Sequence, residues 1–225
     1  DGRSRSQAQR LRASGQGEAL LRASGTPMYA AAPLTKLMWF AEHDPALCRR
    51  VATWAGLKDL LVHHLTEVLV TELSSASSTG LLSLATVAWN PEALDLARVR
   101  PGQLPPIRHT TDAVPLAASV ASRVGLAAGM PVVLGAGDGP LGTLGSGAID
   151  PGVLGVSIGT SAAARLLVPG AWSDPAGRLF CYALTDDQWV VGGAVSNGGA
   201  GLRWVGDLCG EPSDDGLVNA PAPGP

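Results

Sequence analysis

Two short turns in the middle of the chain carry residue types that a phosphoryl transfer needs. Residues 135–139 read Gly-Ala-Gly-Asp-Gly after an apolar run, and the glycines flanking Asp138 leave its carboxylate open to a ligand. Such a carboxylate could act as a general base, but an Asp in a turn often binds its own backbone, and both interpretations stay open. Further along, residues 158–161 read Ile-Gly-Thr-Ser and would suit phosphate oxygens. Together the two turns suggest phosphoryl transfer to a hydroxyl group.

The same region matches the dinucleotide-binding pattern G-x-G-x-x-G over residues 137–142. The pattern follows a predicted strand and opens a predicted helix, as that motif requires. However, the next predicted strand, residues 153–158, ends without the acidic residue that would bind a ribose. Asp138 would also place a negative charge against a pyrophosphate. An NAD-dependent enzyme is therefore a minor alternative.

Two other catalytic patterns do not fit the chain. Residues 155–159 match G-x-S-x-G, the nucleophile elbow of hydrolases, but that fold places its catalytic His after the Ser. All four histidines of this chain precede Ser157, so we expect this serine to point into a strand pair. The sequence has no G-x-x-x-x-G-K-[ST] loop, which excludes a P-loop enzyme.

The composition excludes several classes of protein. Of the 225 residues, 46% are hydrophobic, which is enough to build a core. The net charge is −3 without a basic stripe, so we expect no nucleic-acid partner. No apolar run is long enough to cross a membrane, so we expect no membrane partner. Three widely spaced cysteines form no metal or disulfide pattern, which predicts buried thiols in a reducing cytoplasm.

Helices early in the chain and strands late predict an α/β fold with more than one layer. Hydrophobic spacing predicts helices over residues 3–24 (with a break near Gly15 and Gly17), 33–42, 45–51, 56–65, 116–124, 141–148 and 198–208. Strands are predicted over 68–70, 132–134 (buried), 153–158 and 163–168, with a hairpin of 180–184 and 189–191. The hydroxyl-rich run 71–80 is interpreted as a loop with local hydrogen bonds, with helix capping or a polar pocket as the alternatives.

The order of the motifs along the chain resembles the FGGY family of carbohydrate kinases. The segments that carry the resemblance are residues 1–3 (the end of W-x-D-x-R), 33–39 (the K-L-x-W helix), 71–80 (T-D-x-S-x-A-S-x-T-G), 135–139 (the turn of the catalytic base) and 157–161 (the S-I-G-T-S phosphate loop). Glu72 stands where the family has Asp. Within the family, residues 174–204 are most similar to the gluconate kinases.

The resemblance implies an actin-like ATPase fold of the ribonuclease H-like kind, with two domains around a cleft. Residues 1–151 would be the later part of the N-terminal, sugar-binding domain. Residues 152–225 would begin the C-terminal, nucleotide-binding domain, and both domains would be incomplete here. The implied cofactors are ATP and Mg²⁺, and the implied substrate is a small sugar or sugar acid, with gluconate favoured.

The resemblance also implies roles for particular residues. Asp138 would be the catalytic base and would contact the metal. The substrate would be contacted by Asp1, Arg3, Gly137 and Gly139. The nucleotide phosphates would be bound by the backbone N–H groups of residues 159–161 and by the side chain of Thr160, with a close backbone approach to the nucleotide at two glycines; these residues are Gly159, Thr160, Ser161, Gly198 and Gly199.

The family's first phosphate loop and its adenine-binding glycines have no counterpart in the sequence, which starts at Asp1 and ends in a proline-rich stretch. We therefore expect a piece of a longer kinase that is weak or inactive by itself. Such a piece would expose apolar edges and could self-associate, for instance as a homodimer. A non-catalytic fragment that binds nucleotide or a partner subunit is the alternative.

Overall fold

The computed structural model describes residues 2–210, which form an α/β fold with most helices in the first half and the larger sheet in the second. The helices are α1 (Arg5–Ala13), α2 (Gln16–Ser24), α3 (Pro33–His43), α4 (Pro45–Arg50), α5 (Leu57–Thr66), α6 (Leu73–Ser77), α7 (Pro91–Ala97), α8 (Ala118–Val124), α9 (Asp138–Gly145) and α10 (Gly199–Cys209). The strands are β1 (Thr71–Glu72), β2 (Leu82–Ser83), β3 (Ala88–Trp89), β4 (Ile107–Arg108), β5 (Ala113–Pro115), β6 (Pro131–Val133), β7 (Leu154–Ile158), β8 (Ala162–Pro169), β9 (Phe180–Ala183) and β10 (Gln188–Val195). Across residues 2–210, no helix combines the length and the apolar character that a membrane crossing requires.

The first layer is built from helices that share one hydrophobic core. Gly15 adopts a left-handed conformation (φ 78°) and separates α1 from α2, which confirms the predicted break. Pro33 occupies the first turn of α3, where its missing N–H needs no partner. The apolar face of α3 packs against α1 and α7. The buried side chains of this core are Leu11, Leu20, Met28, Leu34, Leu37, Met38, Leu81, Ala93, Leu94, Ala97 and Val99.

The second layer is an antiparallel four-stranded sheet in the order β7-β8-β10-β9. In the central strand β10, Val191 pairs with Leu166 of β8 on one side and with Cys181 of β9 on the other. The predicted hairpin of β9 and β10 is therefore confirmed. Trp189 of β10 is 1% exposed and belongs to a core cluster that also contains Leu73 of α6.

Hydrogen bonds join this sheet to the helical layer. The N–H of Cys181 donates to the carbonyl oxygen of Gly25 at 2.8 Å. The N–H of Ala183 donates to Oγ of Ser77 at 2.9 Å, in the buried space between β9 and α6. Residues late in the chain therefore complete the hydrogen bonding of residues near its beginning.

Two sequence predictions are wrong between residues 68 and 80. The strand lies not at 68–70 but at Thr71–Glu72, where it pairs in parallel with β4. The hydroxyl-rich run is not a loop, because residues 73–77 form α6. The carboxylate of Glu72 accepts hydrogen bonds from the N–H groups of Ser74 and Ser75, at 2.5 and 2.9 Å, and so caps this helix.

Two predictions of burial are confirmed only in part. The strand predicted over 132–134 exists as β6, one residue earlier, and Val133 is 60% exposed because β6 pairs with β5 in a two-stranded sheet, whereas Leu134 is 3% exposed. Cys181 is buried as predicted, and burial raises the pKa of its thiol. Cys48 is half-buried and Cys209 is exposed, so the cysteines do not share one kind of environment.

Candidate active site

Asp138 is the first residue of α9, so the predicted glycine-rich turn is the N-terminus of a helix. The helix begins before Leu141, where the sequence predicted its start. Gly137 precedes it as an extended N-cap residue. The Asp138 side chain is exposed, and its Oδ1 accepts a hydrogen bond from the N–H of Gly139 at 2.8 Å. The carboxylate therefore binds its own backbone and is at the same time accessible to a ligand.

The loop that precedes α9 is fixed by side chains from two other helices and their caps. The N–H of Gly137 donates to Oγ of Ser74 at 3.0 Å. Lys58 donates from Nζ to the carbonyl oxygen of Ala136 at 3.3 Å and forms an ion pair with Glu72 at 2.6 Å. Glu72 is 2% exposed, so its charge requires a partner. The role of Lys58 was not predicted from the sequence, because the sequence does not show that Glu72 is buried and needs a positively charged partner.

A cavity of about 780 Å³ opens in front of Asp138. One wall comes from the helical layer and from the start of α9, where Gly137 and Gly139 also line the cavity. The opposite wall comes from the sheet and its connecting turn, and it contributes Arg165 and Arg178. This volume is in the range of about 300–1,000 Å³ that is usual for small-molecule sites. The structure thus brings three predicted site residues together in one wall of a cavity.

Aromatic side chains line the cavity from both layers. The rings of Phe180 and Tyr182 stack with their centroids 4.6 Å apart. Burial raises the pKa of Tyr182, and a hydrogen bond with Tyr29 raises it further. Tyr182 therefore stays protonated at neutral pH and can take part in hydrogen bonds, but it does not supply a base.

Arg165 lines both the large cavity and a second one of about 280 Å³, as Asp138 does. Nη1 of Arg165 donates to Oγ of Ser157 at 2.9 Å. A Cβ atom on Gly139 would lie 3.3 Å from Nε of Arg165, so the guanidinium group lies against the start of α9. Ser157 lies within β7 and pairs with Ala163, which confirms the predicted strand pair. A nucleophile elbow needs a strand-to-helix turn and is excluded.

The predicted phosphate turn, residues 159–161, joins β7 to β8, and the start of α10 packs directly against it. The N–H of Gly199 donates to the carbonyl oxygen of Gly159 at 2.7 Å, and the N–H of Gly198 donates to that of Thr160 at 3.0 Å. A Cβ atom on Gly198 would lie 2.7 Å from backbone atoms of Ser161, and one on Gly199 would lie 2.8 Å from the Gly159 oxygen. All five predicted nucleotide-binding residues therefore form one backbone cluster.

The hydrogen bonds of this cluster change one expectation. The N–H of Gly159 donates to the carbonyl oxygen of Ser161 at 2.8 Å, so it is already used within the turn. The missing side chains of Gly198 and Gly199 allow a close approach to this turn, which is a different reason for glycine from the expected approach to a nucleotide. Thr160 and Ser161 are exposed.

Of the two remaining predicted substrate residues, Asp1 lies outside the described residues, and Arg3 does not line the large cavity. The guanidinium group of Arg3 lies over the Trp39 ring, 4.7 Å from its centroid. Arg3 lines a separate cavity of about 100 Å³ together with Lys36 and Phe40. A role of Arg3 in substrate binding stays a prediction.

The dinucleotide alternative fails on topology. A dinucleotide-binding unit needs two parallel strands of one sheet that are joined by a helix. Here α9 is flanked by β6 and β7, which belong to different sheets. The strand that follows the helix ends at Ile158, without an acidic side chain.

The described residues hold no preformed metal cage. Across residues 2–210, no group of three His, Cys, Asp or Glu side chains is placed to bind a metal ion. A Mg²⁺ ion that is bound mainly through substrate phosphates and water needs only one or two protein carboxylates. The exposed carboxylate of Asp138 fits that need.

A family model and the curated relatives of the chain point to the same family of proteins. Residues 1–145 match the N-terminal domain of the FGGY family of carbohydrate kinases. The chain is 36% identical over 214 residues to a gluconokinase from Bacillus licheniformis, and this match covers 92% of the chain and 40% of the relative. The chain thus spans about 40% of the length of the curated relatives that it matches.

Solved structures of sugar kinases superpose closely on the chain. A xylulose kinase from Lactobacillus acidophilus gives a TM-score of 0.89 at 32% identity, over 99% of this chain and 46% of that one. A gluconate kinase from the same organism gives 0.86 at 32% identity, over 91% and 42%. These matches confirm the predicted actin-like ATPase fold, of which the chain contains only a part.

Proposed function

This chain belongs to the FGGY family of carbohydrate kinases, and we propose that the protein carrying it transfers the γ-phosphoryl group of ATP to a hydroxyl group of a sugar acid, gluconate. The observation that carries the proposal is the position of Asp138, exposed in the wall of a large cavity close to Arg165 and the strand that leads into residues 159–161. The identity to gluconokinases supports the choice of gluconate.

In this proposal Asp138 accepts the proton of the substrate hydroxyl group. The hydroxyl oxygen attacks the γ-phosphorus of ATP at the same time, and ADP leaves. A positioned general base supplies about 10²- to 10⁴-fold of rate. The network of Lys58, Glu72 and Ser74 holds the loop before α9, and so fixes where the Asp138 carboxylate stands. Mg²⁺ bound to the nucleotide phosphates would neutralise the charge that develops on the transferred group.

The nucleotide phosphates are assigned to the other predicted cluster. Thr160 and Ser161 are exposed in the turn between β7 and β8, and Gly198 and Gly199 fix that turn against α10. Gly159 contributes the tight backbone of the turn, because its own N–H is used internally. Ser157, which binds Arg165, lies two residues before this turn, and this supports a path from the nucleotide to the large cavity.

We assign residues 1–151 to the sugar-binding domain and residues 152–225 to the beginning of the nucleotide-binding domain. The cavity supports this division, since Gly137 and Asp138 line it from the first segment and Arg165, Tyr182 and Ser196 from the second. Substrate would then bind between the two domains.

The chain alone is expected to be weak or inactive and to self-associate. It spans about 40% of the length of its curated relatives. Large apolar side chains are exposed on β7 and on α10, among them Ile158 (69%), Trp204 (65%) and Leu208 (71%). Burying such side chains against a second copy is favourable, so size-exclusion chromatography is expected to show dimers or larger species.

The proposal is tested by measuring ATP-dependent phosphorylation of gluconate, xylulose, glycerol and glucitol with Mg²⁺ present. The assay is run with the 225-residue chain and with a protein extended to the length of its relatives. We expect the extended protein to phosphorylate gluconate. ATP binding without turnover on any acceptor would instead favour the non-catalytic alternative.

Replacing Asp138 with Asn tests the catalytic base directly. We expect Asp138→Asn to lower kcat by about 10²- to 10⁴-fold. The Asn side-chain oxygen can still accept the bond from Gly139, and the site is exposed, so the melting temperature should not change. Asp150→Asn is the matched control, because it makes the same change at an exposed aspartate after α9. Equal kcat values for the two variants would refute the role of Asp138.

A further inference from the structure

Two arginine side chains line the large cavity, and one of them would be enough for the phosphoryl transfer itself. Arg165 lies in β8 and Arg178 lies in the turn before β9, and both line the cavity with Asp138. A neutral sugar offers no charge to pair with a guanidinium group. The presence of two arginines therefore bears on the chemical class of the substrate.

The surroundings of Arg165 place it at the reacting end of the site. Its guanidinium group lies against Gly139 at the start of α9 and donates to Ser157 in the strand that leads into the phosphate turn. It also lines both cavities next to Asp138. Arg165 is therefore suited to the transferred phosphoryl group rather than to a distant part of the substrate.

Arg178 comes from a separate turn that is organised by one buried carboxylate. The side chain of Asp174 is 4% exposed and accepts hydrogen bonds from the N–H groups of Ala176, Arg178 and Leu179 at 3.0, 2.8 and 3.2 Å. These N–H donors lower the pKa of Asp174, which stays ionised at neutral pH. A turn fixed by three hydrogen bonds to one residue gives Arg178 a defined position at the cavity.

The Arg178 side chain is largely available to a ligand. It is 75% exposed and contacts Asp174 through Nε at 3.4 Å. Within residues 2–210 the guanidinium group of Arg178 makes no other hydrogen bond, so its two Nη groups are available to a ligand. The paired N–H groups of a guanidinium fork match the two oxygens of a carboxylate.

We propose that Arg178 binds the carboxylate of the substrate and makes this site selective for sugar acids over neutral polyols. The inference rests on the proposed function, since it assigns the substrate class of the same cavity. Asp138 holds the hydroxyl group that is phosphorylated, Arg165 contacts the transferred phosphoryl group, and Arg178 holds the acidic end of the substrate. A polyol of the same length leaves the fork unpaired and loses that contact.

The test measures equilibrium binding by calorimetry without ATP, so that it does not depend on turnover. Gluconate is compared with glucitol, which has a hydroxymethyl group in place of the carboxylate. The proteins are the wild type, Arg178→Met, Arg178→Lys and the charge-matched control Arg123→Met, which changes an exposed arginine on α8. All are made at the full length of the relatives, and their melting temperatures are compared.

We expect Arg178→Met to weaken gluconate binding by about 10- to 100-fold, as for loss of a charged hydrogen bond, and to leave glucitol binding unchanged. Arg178→Lys should restore part of the affinity, and Arg123→Met should match the wild type. Equal gluconate affinity in Arg178→Met and the wild type overturns the inference, as does a wild type that binds glucitol as well as gluconate. Either result would leave the proposed kinase function intact. That function is refuted by a different result, namely that none of the tested acceptors leads to the formation of ADP.

Discussion

The contact between the start of α10 and the phosphate turn can be tested with one methyl group. Gly199 donates to Gly159 at 2.7 Å, and a Cβ atom on Gly199 would lie 2.8 Å from that carbonyl oxygen, closer than real Cβ contacts. Gly199→Ala must therefore push the helix away from the turn. Overpacking of this kind costs about 1–3 kcal/mol.

Gly201 provides a matched control on the same helix. A Cβ atom on Gly201 would meet no other atom within 4 Å. Gly201→Ala is thus expected to stabilise the protein by about 0.5–1 kcal/mol, because alanine loses less backbone entropy than glycine in a helix. Each kcal/mol shifts the melting temperature of a protein of this size by about 2–4 °C.

The two variants are compared by thermal unfolding and by ATP affinity. We expect Gly199→Ala to melt below the wild type and to bind ATP more weakly, and Gly201→Ala to melt slightly above it with unchanged ATP affinity. If Gly199→Ala melts at or above the temperature of Gly201→Ala, the argument from close backbone contact is refuted. If it is less stable but binds ATP normally, the assignment of residues 159–161 to the phosphates is refuted instead.

Two further predictions concern the sheet and its connection to the first half of the chain. Gly192→Ala should destabilise the protein by about 1–3 kcal/mol, because its Cβ would overlap the carbonyl oxygen of Ala164. Gly193→Ala should be nearly neutral, because the nearest atom to its Cβ would lie at 3.6 Å. Urea unfolding distinguishes the two variants. The hydrogen bond that Nδ1 of His109 donates to the carboxylate of Asp186 raises the pKa of His109. Stability from this pair is then fully present below about pH 6.5 and is lost as the pH rises through the higher pKa of the folded state. The difference in urea midpoint between the wild type and His109→Gln should shrink from pH 6 to pH 9, and a constant difference would contradict it.

Hydrophobic periodicity predicted much of the fold. The spacing of Leu34, Leu37, Met38 and Ala41 defined the buried face of α3, and all four are buried. The turn at residues 186–187 separated two apolar runs that do pair as β9 and β10. These elements were predictable because the information lies in residues close together in the sequence.

The errors come from partners that are distant in sequence. The helix α6 is rich in serine, which disfavours helices, but a buried cap from Glu72 and its ion pair with Lys58 stabilise it. No local sequence pattern predicts the ion pair between Lys58 and Glu72. The exposure of Val133 was missed for a similar reason, since an apolar run gives no information about how many strands will cover it.

The candidate site divides in the same way. The motifs predicted Asp138 and the backbone cluster around Thr160, and the structure brings each group together. Arg165 was not predicted, because a lone arginine carries no spacing signal. Asp174 and Arg178 were noted only as part of the segment that resembles gluconate kinases, although the three bonds of Asp174 to backbone N–H groups determine where Arg178 stands.

The hydrogen bond between Ala183 and Ser77 spans 106 positions of sequence. During synthesis, the helical layer leaves the ribosome long before β9, so the Ser77 hydroxyl and the Gly25 carbonyl have no protein partner until β9 emerges. The apolar side of α6, including Leu73 and Ala76, is uncovered for the same time. Such a nascent chain exposes a surface that binds chaperones or other nascent chains until β9 arrives. Pauses in translation while β9 is still inside the ribosome should therefore lower the yield of folded protein more than pauses after β9 has emerged.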